Sequence, residues 1–176
     1  HVSTADEHGN CVAMTHSLGM PSGVVTPGLG FMYNGCMAVF DPRPGNTGSI
    51  APGKSRFTAM CPTIVFKGKE PFFVVGAPGA TYITMGVLQA ILNAVDFGMN
   101  AQEAVMAPRF CTNSDTIDIT NRITRGTQAE LDARGYPVRR SPLSYHFAGV
   151  HAVRKTGAGW DGGADPGRDG MALKVE

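Results

Sequence analysis

Alternating apolar and polar positions open the chain. Val2 to Asp6 and Cys11 to Ser17 follow this two-residue period around Glu7-His8-Gly9-Asn10, a pattern that predicts a β-hairpin with a Gly/Asn turn. Thr63 to Phe66 and Phe72 to Val75 flank Lys67-Gly68-Lys69-Glu70 and predict a second hairpin, which runs into Gly76-Ala77-Pro78-Gly79-Ala80. The stretch between the hairpins, residues 19 to 55, is rich in Gly and Pro and reads mostly as loop, with one short apolar segment at Gly30-Phe31-Met32-Tyr33. From Thr81 to Phe97 the period changes. Ile83, Val87, Ile91 and Val95 recur every four residues, Met85, Leu88 and Leu92 widen the stripe, and Gly98 is the expected stop of this helix. Asn100 with Glu103 forms a capping-box pattern for a short helix that Pro108 ends. Thr127 with Glu130 repeats the device, and Gly135 closes that helix. The tail reads as strands again, Gly149 to Arg154 and Met171 to Val175, around a glycine-rich turn region. Strands, then helices, then strands imply an α+β or layered-sandwich fold, not a β-α-β-α series. With no internal repeat or linker, residues 1–176 read as a single domain.

Composition narrows the functional classes. The 176 residues carry a net charge of +1, which gives no electrostatic case for nucleic acid or a polybasic membrane contact. No apolar run approaches the roughly 18 residues of a membrane span, and the first residues do not read as a signal peptide. Charged residues are only 16% of the chain, against roughly 25% in an average soluble domain, which suggests that another chain covers part of the surface. Cys11, Cys36, Cys61 and Cys111 lie in or beside apolar runs without metal-ligand spacing and read as buried free thiols. Free thiols lean towards a reducing, cytoplasmic location over a periplasmic one.

Two motif matches lack the context their chemistry needs. Gly48-Ser49-Ile50-Ala51-Pro52-Gly53-Lys54-Ser55 fits the phosphate-loop pattern, yet the flanking residues predict neither the strand before it nor the helix after it, and Pro52 removes an amide from the cradle. Gly157, Gly159 and Gly162 fit G-x-G-x-x-G, yet no helical pattern follows before Asp165-Pro166. The acids are scattered, and the five histidines lack ligand spacing, so neither a metal nor a cofactor is expected.

More specific is an ordered series of short segments. His1-Val2-Ser3-Thr4-Ala5-Asp6-Glu7-His8-Gly9-Asn10 and Val12-Ala13-Met14-Thr15 are followed by Ser22-Gly23-Val24-Val25, Pro52-Gly53-Lys54 and Met60-Cys61-Pro62-Thr63-Ile64-Val65. Gly76-Ala77-Pro78-Gly79, Val87-Leu88-Gln89, Asp96-Phe97-Gly98-Met99-Asn100, Glu103-Ala104-Val105, Ala107-Pro108-Arg109-Phe110 and Gly163-Ala164-Asp165-Pro166 complete it. In this order they resemble the small, C-terminal chain of the gamma-glutamyltranspeptidase family of N-terminal-nucleophile hydrolases. The likeness covers residues 1 to 110 and the tail, and is weakest over residues 111 to 148.

The resemblance implies a four-layer αββα sandwich completed by a separate large N-terminal chain cut from the same precursor, and two-chain units that could pair as dimers. It implies attack on a small-molecule amide by an N-terminal threonine, aligned two residues before His1, whose α-amino group acts as base. Gly79 and Ala80 fall at the family's oxyanion hole, and Ser17 at a hydroxyl that bonds the nucleophile. The substrate-facing positions are Gly19, Cys36, Val39, Thr58, Ala59 and Tyr82. Five of these, Tyr82 aside, depart from the Asn, Gln, Asp and Ser-Ser set that grips a glutamyl group. Those departures imply an amidohydrolase or acylase with a smaller or less zwitterionic acyl group. The alternatives are an ordinary glutathione hydrolase and, in a different class, a catalytically inactive binding subunit.

Overall fold

The computed structural model describes residues 1–175 and resolves two compact units. The larger joins residues 1–15 to the chain from Ala59 onward, and the smaller is His16–Thr58. In chain order the strands are β1 (Val2–Ala5), β2 (Cys11–Met14), β3 (Pro21–Val25), β4 (Met32–Asn34), β5 (Thr63–Lys67), β6 (Glu70–Gly76), β7 (Phe110–Cys111), β8 (Ile117–Ile119), β9 (Val138–Arg140), β10 (His151–Thr156) and β11 (Gly159–Ala164). The helices are α1 (Ile83–Val95), α2 (Ala101–Met106) and α3 (Arg125–Ala133).

In the larger unit an antiparallel sheet of order β11-β10-β6-β5 forms the middle layer. One face carries α1 and α2: Phe73, Val75 and Ala152 of the sheet are buried in one cluster with Val87, Ala90, Ala94, Ala104 and Val105 of the helices. Val74, fully buried but outside that cluster, points to the opposite face, as the two-residue period of a strand requires. The β1–β2 hairpin packs against β5, β6 and β10. Its turn is built by Asp6, whose carboxylate accepts from the amides of His8 and Asn10 and from the Asn10 side chain. This is an α-β-β stack within an α+β fold.

The helix caps refine the expected boundaries. Asn100 and Glu103 form the capping box of α2. In α3 the N-cap is Thr124, whose hydroxyl accepts from the Thr127 amide at 3.0 Å, so the helix starts about a turn before the Thr127/Glu130 pattern placed it. Thr127 is the N3 residue, not the cap. This helix links β8 to a parallel β9, a β-α-β unit inside a chain whose element order argued against that connection. A second correction concerns the tail: β11 replaces the strand expected at Met171 to Val175, where Met171, Leu173 and Val175 are exposed and no strand forms. Of the four thiols, all free, only Cys111 is fully buried, and the other three are half-buried.

The smaller unit, expected as mostly loop, contains the β3–β4 hairpin. The amide of Gly35 donates to the carbonyls of Leu18 and Met20, and a Cβ there would come within 2.4 Å of the Met20 oxygen. Asp41 holds Arg43 and Asn46 in a tight loop. Lys54 donates to the carbonyls of Thr47 and Ser49, so the phosphate-loop match is a lysine-latched turn with no helix behind it.

Candidate active site

The segment Gly79-Ala80-Thr81-Tyr82 joins β6 to α1 through a single turn of 3-10 helix, Ala80–Tyr82. Its backbone is unusual at both expected oxyanion positions. Gly79 has φ +144°, and a Cβ there would lie 2.6 Å from the Ala148 Cα. Ala80 has φ +52°, a left-handed conformation that costs a non-glycine residue about 1–2 kcal/mol. Facing them, Phe147 and Ala148 are also left-handed, at φ +62° and +76°, and both are buried. The Gly149 amide donates to the Pro78 carbonyl at 3.0 Å and ties the two segments together. Ala80, Phe147 and Ala148, three non-glycine residues at positive φ beside Gly79, are a store of backbone strain of the kind that concentrates at functional sites.

This conformation determines which amides are satisfied. The Tyr82 amide donates to the Gly79 carbonyl and the Ile83 amide to the Ala80 carbonyl, closing the turn. The amides of Gly79 and Ala80 donate to no acceptor among the described residues. They stand just before the N-terminus of α1, where the helix dipole adds partial positive charge. Two such donors can stabilise an oxyanion.

The neighbouring side chains form an aromatic wall. Tyr82 lies with its ring centre 5.6 Å from His146 and 5.3 Å from Phe147. Ala59 is drawn to the first turn of α1 by a long bond of 3.4 Å from the Thr84 hydroxyl to its carbonyl. The larger unit thus brings Gly79, Ala80, Tyr82 and Ala59 to one end of the sheet. His1 lies at that end too: its imidazole sits over Gly76, where an added Cβ would meet the ring at 2.3 Å. The ring is held between the Thr15 hydroxyl at 2.8 Å and the Ser3 hydroxyl at 2.9 Å.

The remaining expected residues belong to the smaller unit. The Ser17 hydroxyl accepts from the Gly19 amide at 2.9 Å in a local turn. Gly19 packs directly on Cys36, whose Sγ would be 2.8 Å from a Cβ at that position, and the Cys36 thiol donates to the Leu18 carbonyl. Val39 closes the short 3-10 turn Cys36–Val39, and Thr58 ends the unit.

Sequence reasoning missed Phe147 and Ala148, because nothing in a Phe-Ala pair announces positive φ. It also missed the pairing that fixes the two late motifs. Arg109, from Ala107-Pro108-Arg109-Phe110, forms a buried ion pair with Asp165, from Gly163-Ala164-Asp165-Pro166, and donates to the Val105 carbonyl. Gly163 is glycine because α2 crosses it: a Cβ would lie 2.4 Å from the Ala101 carbonyl carbon.

Comparison with known proteins fits this geometry. A family model described as Gamma-glutamyltranspeptidase matches residues 1–175. The chain belongs to the gamma-glutamyltranspeptidase family. A solved gamma-glutamyltranspeptidase from Pseudomonas nitroreducens superposes with a TM-score of 0.86 at 30% identity, covering 100% of this chain and 99% of that one. Membership makes the α-β-β stack part of the αββα sandwich of N-terminal-nucleophile hydrolases. Among curated relatives, an Acylase ACY 1 proenzyme of Pseudomonas sp. (strain V22) is 43% identical over 81% of this chain and 26% of its own length. A Glutathione hydrolase proenzyme of Bacillus subtilis (strain 168) is 30% identical over 99% of this chain and 30% of its length. The chain therefore spans about a quarter to a third of the curated gamma-glutamyltranspeptidase relatives it matches, and these are proenzymes.

Proposed function

We propose that this chain is the small subunit of an autocleaved two-chain amidase whose nucleophile is a threonine two residues before His1, and whose acyl specificity has moved away from glutamyl groups. The observation that carries the reading is the strained Gly79–Ala80 turn with its two unengaged amides. β1 starts beside Gly76 and runs away from it, towards Trp160, whose indole donates to the Asp6 carbonyl. Two extended residues upstream of His1 span about 7 Å and lead back past Gly76 towards that turn.

The chemistry follows from that placement. The threonine hydroxyl attacks the amide carbonyl and its α-amino group takes the proton. The oxyanion of the tetrahedral intermediate accepts from the Gly79 and Ala80 amides. Collapse expels the amine, which recovers the proton from the α-ammonium and leaves an ester on the threonine. Water, or a second amine, then attacks the ester by the same route in reverse.

Four of the six expected specificity positions, Gly19, Cys36, Val39 and Thr58, belong to the smaller unit. By resemblance, Val39 stands where a glutamyl-specific relative has an aspartate for the substrate ammonium, and losing that charge-assisted bond removes roughly 1.5–3 kcal/mol. The likeness to the Pseudomonas acylase points the same way. A glutathione-hydrolase reading keeps support from the B. subtilis relative, which aligns with nearly the whole chain.

The test uses enzyme purified from the whole precursor, with the large chain as partner. The small chain should be heavier than residues 1–176 alone by two threonine residues. Small-acyl anilides should be hydrolysed at least about tenfold faster than the γ-glutamyl anilide. Equal or faster turnover of the glutamyl compound would replace this reading with the glutathione hydrolase. A small chain that begins at His1 and cleaves no anilide would leave the binding-subunit reading.

A further inference from the structure

Beside the aromatic wall lies a hollow of about 260 Å³, lined by Tyr82, Phe147, His146, Asp118, Arg139 and Ser141 among others. Tyr82 ends the 3-10 turn that begins at Ala80, and Phe147 precedes the residue packed on Gly79, so the hollow adjoins the oxyanion turn along both segments. We propose that it receives a carboxylate on the amine half of the amide substrate, with Arg139 as the specificity-determining residue. This rests on the amidase reading above and on the Tyr82 and Phe147 segments, which the hollow shares with the Gly79–Ala80 turn.

Three features of the side chains support the assignment. Arg139 donates from Nε and Nη2 to the two oxygens of Asp118, the second bond at 2.9 Å. That bidentate pair uses one edge of the guanidinium and fixes its plane, because Asp118 itself is buried. The other edge, formed by Nη1 and Nη2, has no protein acceptor among the described residues, and the Arg139 side chain is 70% exposed. A planar fork held by one carboxylate presents its free edge to a second in the matching geometry.

Charge balance agrees. Arg140, on the same strand, spends its donors on the Gln128 side chain and on the carbonyls of Thr120, Asn121, Ile123 and Thr124. It has no carboxylate partner among the described residues. The lining of the hollow therefore holds two guanidinium groups, Arg139 and Arg140, and one carboxylate, Asp118, which leaves one positive charge over. An anionic group entering beside the Tyr82 and Phe147 rings meets that charge.

A matched pair of compounds tests the site without requiring turnover. 4-Acetamidobenzoate and 4-acetamidobenzamide have nearly the same shape and differ in charge. Calorimetric titration into the two-chain enzyme should show the benzoate binding at least about tenfold more tightly. Arg139→Met should remove that preference while leaving the benzamide affinity unchanged. Arg139→Lys, which keeps the charge and loses the fork, should lose most of it. Arg139→Met leaves the buried Asp118 carboxylate without its partner and should lower the melting temperature, so affinities are compared at a temperature where circular dichroism shows both variants folded, and Arg139→Lys, which keeps a cation beside Asp118, is the control for that loss. Equal affinity for the two compounds, or a preference that survives Arg139→Met, overturns the assignment. Full retention in Arg139→Lys overturns the fork geometry. Release of arylamine is followed separately: a binding preference without hydrolysis supports this site and counts against the amidase reading.

Discussion

Gly79 and Ala80 are adjacent, both at positive φ, and opposite in what a methyl group does. At Gly79 the methyl has no room: Gly79→Ala drives Cβ into the Ala148 backbone, and the enzyme should lose several degrees of melting temperature and most of its activity. Ala80 already carries its methyl in the left-handed region. Ala80→Gly relieves about 1–2 kcal/mol of that strain and adds back about 0.5–1 kcal/mol of chain entropy. Thermal denaturation should therefore show a stabilisation of about 0.5–1 kcal/mol with hydrolysis retained. If Ala80→Gly melts lower than the parent, the strain is not stored where the dihedrals place it. The glycine was legible in the sequence, through Gly76-Ala77-Pro78-Gly79. Its opposite number was not, because the φ of Phe147 and Ala148 is imposed by the segment they pack against.

At the scale of elements, short-range chemistry read well and long-range chemistry did not. The Asp6 turn, the Asn100/Glu103 box and the apolar stripe of α1 are all contacts within a few residues, and each stands as the pattern implied. The Thr127/Glu130 pattern misled because Thr124, three residues earlier, had the extended backbone a cap requires. β3 escaped notice because its residues are mostly exposed and interrupted by glycine. The Asp41 loop in the smaller unit yields a pH prediction. Hydrogen bonds from Arg43, and then Asn46, hold its carboxyl down to about 2 from an ordinary 3.8. A depressed carboxylate stabilises the fold fully above its unfolded value and progressively less below it. Protection of the Asp41 amide, which donates to the Gly48 carbonyl, should be constant from neutrality to about pH 4 and fall between there and about pH 2. Asp41→Asn should flatten that fall, and amide exchange measures both.

Across the whole molecule, the Arg109–Asp165 pair joins the end of α2 to the end of β11, so two motifs 56 residues apart act as one joint. Both side chains are almost fully buried. Arg109→Met strands a carboxylate and should cost about 3–5 kcal/mol in urea denaturation of the two-chain enzyme. Arg109→Met with Asp165→Asn should cost clearly less than the two single changes added together, and simple additivity would sink the claim of a joint. Family membership and the layered fold could be read from the order of short segments. The β-α-β connection at β8, α3 and β9 could not, since it lies in residues 111 to 148, where the resemblance thins.

The contact at Ala148 also governs which variants of this enzyme are reachable. Its backbone lies against Gly79, and its methyl group lies 3.0 Å from the place a Cβ would occupy at Gly86 of α1. Positions 79, 86 and 148 therefore share one small volume, and enlarging any of them closes the space used by the other two. No single substitution at this junction can widen the Gly79–Ala80 turn by adding bulk behind it. The Gly79–Ala80 turn is locked against stepwise remodelling, because a larger side chain at any one of the three positions needs a smaller one at another.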